Sequence, residues 1–209
     1  MTSDMASDPS HSAPMAAPQP RPPDPGVRPA VRQSADRLAR HEDAFIRQLH
    51  YDVTRLIPDS VIPPALDTWL FCERMVRLLL WSALTDESPH VVADTIRQVG
   101  AQNWYEGFPD AQYGNVAHAL VQTVHYLSGH DWSASTGSAW ISYFMWIKPH
   151  LLTGAQRAAA QQMAAQQAAE RQASVANLLD DDDDEDVGYV QIMASMTRTS
   201  RRDPPRHRS

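Results

Sequence analysis

The sequence predicts an all-α fold, a single helical domain carrying a disordered tail at each end. Three observations predict it. Fifteen of the sixteen Phe, Trp and Tyr residues lie between Phe45 and Trp146, so the core belongs to that middle segment. Within it the apolar residues recur at helical spacing, and no run alternates with the period of two that a half-buried strand needs. The first thirty-six residues, by contrast, are rich in Pro, Ser, Asp and Ala and hold no apolar run, and the other end of the chain carries an acid run followed by a basic stretch.

Residues 1–36 contain eight of the sixteen prolines and no aromatic residue. Such a segment cannot bury enough surface to offset its ordering entropy, and it reads as a disordered Pro-rich tail. The segment SADRLARHEDAFIRQLHYDVTRLIP reads as the first amphipathic helix, with Leu38, Phe45, Leu49, Val53 and Leu56 on one face. Pro58, Pro63 and Pro64 interrupt the chain after it. ALDTWLFCERMVRLLLWSAL follows as a helix buried over most of its surface, with Ala65, Trp69, Cys72, Val76, Leu79 and Ala83 inward. Its polar residues Asp67, Glu73, Arg74 and Arg77 fall on one side as its wet face.

SPHVVADTIRQVG is the third helix, with Ser88 as N-cap, Pro89 in the first turn and Gly100 as terminator. The fourth carries Tyr113, Val116, Leu120, Val124 and Leu127 on its apolar stripe. The fifth begins near Asp131 and turns Trp140, Phe144, Ile147 and Leu151 inward. These helices place the domain at 37–154. An Ala- and Gln-rich segment at 155–178 has high helix propensity and a thin apolar face, so it reads as a helical extension. From 179 to 209 the chain reads as a second disordered tail, first acidic (Asp180–Asp186) and then basic.

Charge and motifs exclude several functions. The net charge of -7 gives no generic nucleic-acid surface and no attraction to an anionic membrane. The most apolar stretch, VRLLLWSAL, is far shorter than the roughly 20 residues of a membrane span. With a single cysteine, Cys72, and no leader-like segment, the chain is expected to be soluble and cytoplasmic. No Gly-rich dinucleotide loop, nucleophile elbow or paired-Cys metal spacing is present, so neither a catalytic motif nor a metal site is expected.

One resemblance goes further. YGNVAHALVQTVHYLSGHDWSASTGSAWISYFMWI, through Tyr113, Val116, Ala119, Leu120, Trp132, Ala139, Trp140 and Tyr143, resembles the last two core helices of bacterial globins of the flavohaemoglobin and single-domain type. IRQVGAQNWYEGFPDAQY resembles the segment that carries the family's proximal histidine, ten residues before the tyrosine. The resemblance covers roughly residues 40–154 and is specific for the last two helices. It implies α-helices packed around a haem pocket. In this chain the ligand position falls on Asn103, whose carboxamide is a poor donor to iron, and no histidine lies between His90 and His118. Trp69, Leu70, Phe71, Cys72 and Tyr113 are the other residues implied for the pocket. Cys72 is the best alternative ligand in principle, and small core filling is the plainer role for it. His118 and His125 are expected to face solvent.

Two functional expectations follow. In one, the chain is a haem-free globin-like protein, a non-enzymatic sensor or interaction module that meets a protein partner through its helical surface or its tails. In the other, it binds haem through an unusual axial ligand and handles oxygen or nitric oxide. The surface of the last two helices offers a face for a homodimer.

Overall fold

The computed structural model describes residues 23–197, with side chains through Val175. Six α-helices follow one another: α1 (Val27–Ala39), α2 (Glu42–Leu56), α3 (Thr68–Leu84), α4 (Pro89–Tyr105), α5 (Tyr113–Ser128) and α6 (Ala134–Thr197). Short 3₁₀ turns precede α5 and α6, and there is no strand among the described residues. The all-α expectation therefore holds. The chain divides into two units, Met1–Gln156 and Arg157–Ser209. The first holds α1 to α5 and the aromatic-rich start of α6.

The start of the domain needs correcting. Residues 27–36 were expected to belong to the Pro-rich tail, but they form most of α1, with Val31, Ser34, Ala35 and Leu38 buried. Pro29 is compatible with this because it sits in the first helical turn, where its missing N–H costs no hydrogen bond. Residues 1–22 lie outside the described residues. The expected first helix is in fact two. It breaks at Arg40 and His41, and Glu42 and Asp43 stand in the first turn of α2, where acidic side chains favour a new N-terminus.

α3 starts at an aspartate cap, with Asp67 Oδ1 accepting from the Trp69 and Leu70 N–H groups at 3.0 and 3.1 Å. Ser88 caps α4 and Pro89 opens it, as the sequence suggested. Gly100 does not end α4. The helix runs on to Tyr105, and Gly100 lies where α4 crosses α6. A Cβ placed on Gly100 would sit 2.1 Å from the Leu151 carbonyl oxygen. One on Gly154 of α6 would sit 1.9 Å from the Arg97 carbonyl oxygen. Two glycines, one on each helix, let the backbones approach where any side chain would hold them apart.

α2 packs on α5 and α3, α1 on α3, and α3 on α4. α6 is tied in by two buried polar contacts. The Trp140 indole N–H donates to Ser34 Oγ on α1 at 3.1 Å, and the Tyr143 hydroxyl donates to Ser82 Oγ on α3 at 3.0 Å. The inward face expected for α6, Trp140, Phe144, Ile147 and Leu151, is fully buried. Beyond Gln156 the backbone of α6 is helical through the expected 155–178 extension and past 179 to Thr197. Met163 and Val175 are exposed on it. The remainder of the basic tail, from 198, lies outside the described residues.

Candidate functional site

The site to be judged is the one the resemblance points to, around Asn103 on α4. Its local geometry begins with the end of that helix. Glu106 is the C-cap and Gly107 follows with φ of 86°. The Gly107 N–H bonds the Trp104 carbonyl and the Phe108 N–H bonds the Asn103 carbonyl, both at 2.9 Å. This is the double hydrogen bond of a Schellman motif, and it needs a glycine at the left-handed position. The turn folds Phe108 back beneath the last turn of α4. There its ring stacks on Phe71 of α3 (4.1 Å between centroids, 12° between planes) and meets Tyr113 at 5.1 Å.

Asn103 is completely buried, and both ends of its carboxamide are engaged. Oδ1 accepts from Arg74 Nη1 at 2.7 Å. Nδ2 donates to the Tyr113 hydroxyl at 3.0 Å and approaches Met75 Sδ at 3.7 Å. The other arm of the Arg74 guanidinium holds Glu106 at 2.6 Å, and Gln102 donates to the same carboxylate oxygen at 3.2 Å. A single network therefore joins α3, α4 and the start of α5. Tyr113 is buried, and its hydroxyl pKa is pushed up to about 12 by that burial, the Asn103 hydrogen bond pulling weakly the other way. It is a neutral hydroxyl at physiological pH.

Of the expected pocket residues, Asn103, Phe71 and Tyr113 do come together. Trp69 and Leu70 do not. They are 43% and 45% exposed on the outer side of α3, and Trp69 lies against the His50 ring with centroids 5.3 Å apart. The rest of the expected stripe, Cys72, Val76, Leu79 and Ala83, is buried together with Phe71, Met75, Leu78 and Ser82. Trp69 and Leu70 stand in the first turn of α3, where the buried face has not yet begun, and Ala65 lies before the helix. Cys72 is buried, and desolvation raises its thiol pKa to about 12. Its sulfur is a protonated thiol at neutral pH, whereas haem iron takes a thiolate. His90, His118 and His125 are exposed.

The sequence did not point to Arg74, Met75, Glu106 or Phe108. Arg74 was grouped with the wet face of α3, yet it stands three residues after Phe71 and so shares that residue's side of the helix. Phe108 was hidden because only the positive φ of Gly107 brings it back over Asn103.

A haem does not fit these residues. Its proximal position is a carboxamide whose acceptor oxygen already faces a guanidinium, a cation beside the place of a cationic metal. The volume between α3, α4 and α5 holds the Phe71–Phe108–Tyr113 aromatic cluster instead. Among the described residues no group of three or more His, Cys, Asp or Glu is placed to hold a metal ion, and no helix is long and apolar enough to cross a membrane. No protein-family model matches this chain, and no curated protein matches it.

Proposed function

We propose that this chain is a globin-like helical protein without haem, serving as a non-enzymatic interaction or sensor module. The observation that carries the reading is the closure of the Asn103 site. A buried polar group is stable only when its hydrogen bonds are made, and Asn103 makes them to Arg74 and Tyr113 within the fold. The position that would bind a cofactor instead ties three helices together. The globin-like part of the reading rests on the resemblance of residues on α5 and α6 to that family's last two core helices and on an arrangement of helices with no strand among the described residues. The interaction role is supported by large apolar side chains left on the surface, Trp69, Leu70, Trp81 and Tyr105 among them. The partner is expected to be a protein, because the net charge offers no generic surface for nucleic acid.

The test is a hemin titration of the purified chain, followed by absorption and gel filtration. Unchanged free-hemin spectra and no co-eluting haem are expected. The variant Asn103→His alone should gain no tight haem either, because Phe71 and Phe108 still occupy the space. A sharp Soret band from the unaltered chain at one haem per chain, surviving gel filtration, would overturn the haem-free reading and restore the altered-ligand one.

A further inference from the structure

The outer side of α3 carries a feature that the Asn103 network leaves unused. Leu70, Glu73, Arg77 and Trp81 follow one another at steps of three, four and four, so they form one stripe along the helix. Leu70 is 45% exposed and Trp81 36% exposed. Beside the stripe runs an open groove of about 490 Å³ between α3 and α4, with Leu78 and Val99 among its walls. Within the chain the Arg77 guanidinium bonds Glu73 at 2.7 Å and Glu42 at 3.1 Å, and its side chain is still 62% exposed.

In order along the helix the stripe reads apolar, acid, base, apolar. That order is self-complementary when reversed. If a second α3 is laid against it antiparallel, about a two-fold axis between Glu73 and Arg77, each acid meets a base and each Leu70 meets a Trp81. A parallel pairing would set acid on acid and base on base. A two-fold interface requires this kind of surface, since each copy must present both halves of the contact. Its composition also fits, with a tryptophan and an arginine beside an open groove.

We infer that the outer face of α3 is the surface through which two copies of this chain pair, antiparallel, with Glu73 of each copy opposite Arg77 of the other. The assignment differs from the face of the last two helices suggested by sequence, and it does not depend on whether haem is bound.

The test is a charge-swap experiment on the full chain by sedimentation velocity. The unaltered chain is expected to dimerise with rising concentration. Glu73→Arg gives a chain with two bases at the centre of the stripe, and Arg77→Glu gives one with two acids. Each alone should dimerise about ten-fold more weakly or worse, since like charges then face each other across the axis. Mixed in equal amounts, the two variants should form a heterodimer that neither forms with itself. Because each chain is the same alone and in the mixture, changes in its own stability cancel. The inference is overturned by an unaltered chain that stays monomeric at its solubility limit. It is also overturned by variants that self-associate as well as the parent, or by a mixture that associates no better than its components. If circular dichroism finds a charge variant unfolded, Trp81→Ser on the same stripe decides: loss of the dimer upholds the inference and an undiminished dimer overturns it.

Discussion

Replacing Gly100 by alanine adds one methyl group and should destabilise the protein, against the ordinary preference of a helix. Considered alone, the change would help, because alanine is favoured over glycine inside a helix by about 1 kcal/mol. The surroundings reverse the sign. The new Cβ would stand 2.1 Å from the Leu151 carbonyl oxygen and 2.6 Å from the Leu151 Cα. Carbon and oxygen meet comfortably at roughly 3.3–3.6 Å, so α4 and α6 must separate by about 1 Å or more. Both clashing atoms are backbone, and no side chain can swing aside. Overpacking costs roughly 1–3 kcal/mol, sometimes more, and a backbone clash belongs at the upper end. After the propensity gain is subtracted, a net loss of about 2 kcal/mol is expected, lowering the melting temperature by roughly 4–8 °C.

Gly114 provides the control. It lies in α5, and nothing stands within 4 Å of an added Cβ, so Gly114→Ala should stabilise by about 0.4–1 kcal/mol. Urea denaturation of the two variants beside the parent reads both signs. Gly154→Ala should resemble Gly100→Ala, and the double variant should cost less than the two losses added, because one separation of the helices relieves both clashes. If Gly100→Ala proved as stable as Gly114→Ala, the close crossing of α4 and α6 would be refuted.

Asn103→Ala should cost about 3 kcal/mol in urea denaturation, since it removes a charge-assisted and a neutral hydrogen bond and leaves Tyr113 without its donor; Tyr113→Phe should cost about 1 kcal/mol, and an Asn103→Ala variant as stable as the parent would mean that the network does not hold the helices. The buried hydroxyls of Tyr113 and Tyr143 have pKa values raised to about 12 from 10.0, mainly by desolvation. The folded state therefore keeps protons that the unfolded state loses, and stability present below about pH 10 should fall as pH rises from about 10 to 12. Ultraviolet titration should then show two tyrosines that ionise only at the upper end of that range. His150 on α6 is buried, and its pKa is lowered from 6.5 by desolvation first and the nearby Arg97 second. Here the unfolded state binds the proton more readily, so stability should decline as pH falls below about 6.5. His150→Gln should flatten that part of the stability profile.

Much of the fold was legible in the sequence because it rests on local rules. The Ser88 cap with Pro89, the proline break after α2 and the inward stripe Trp140–Phe144–Ile147–Leu151 each follow from spacing and from the chemistry of a single turn. What failed had a non-local cause. Residues 27–36 read as tail because composition outweighs three buried positions, Val31, Ser34 and Ala35, whose burial comes from packing on α3 and, at Ser34, from the Trp140 indole. Gly100 reads in sequence as a helix end, since a glycine's reason for being in a helix is invisible without the helix that crosses it. Trp69 and Leu70 read as inward because periodicity marks a buried stripe on α3 but not where along the helix it begins. The neighbours that cover α3, chiefly α1 and α2, set that start, and Trp69 and Leu70 in the first turn fall outside it. Asn103 was singled out in the sequence only through the resemblance to globins. What its carboxamide does, with Arg74 and Tyr113 brought to it from α3 and α5 and Phe108 from a glycine turn, was decided by tertiary structure, because a hydrogen-bond network across helices depends on distances in space that spacing along the chain does not encode.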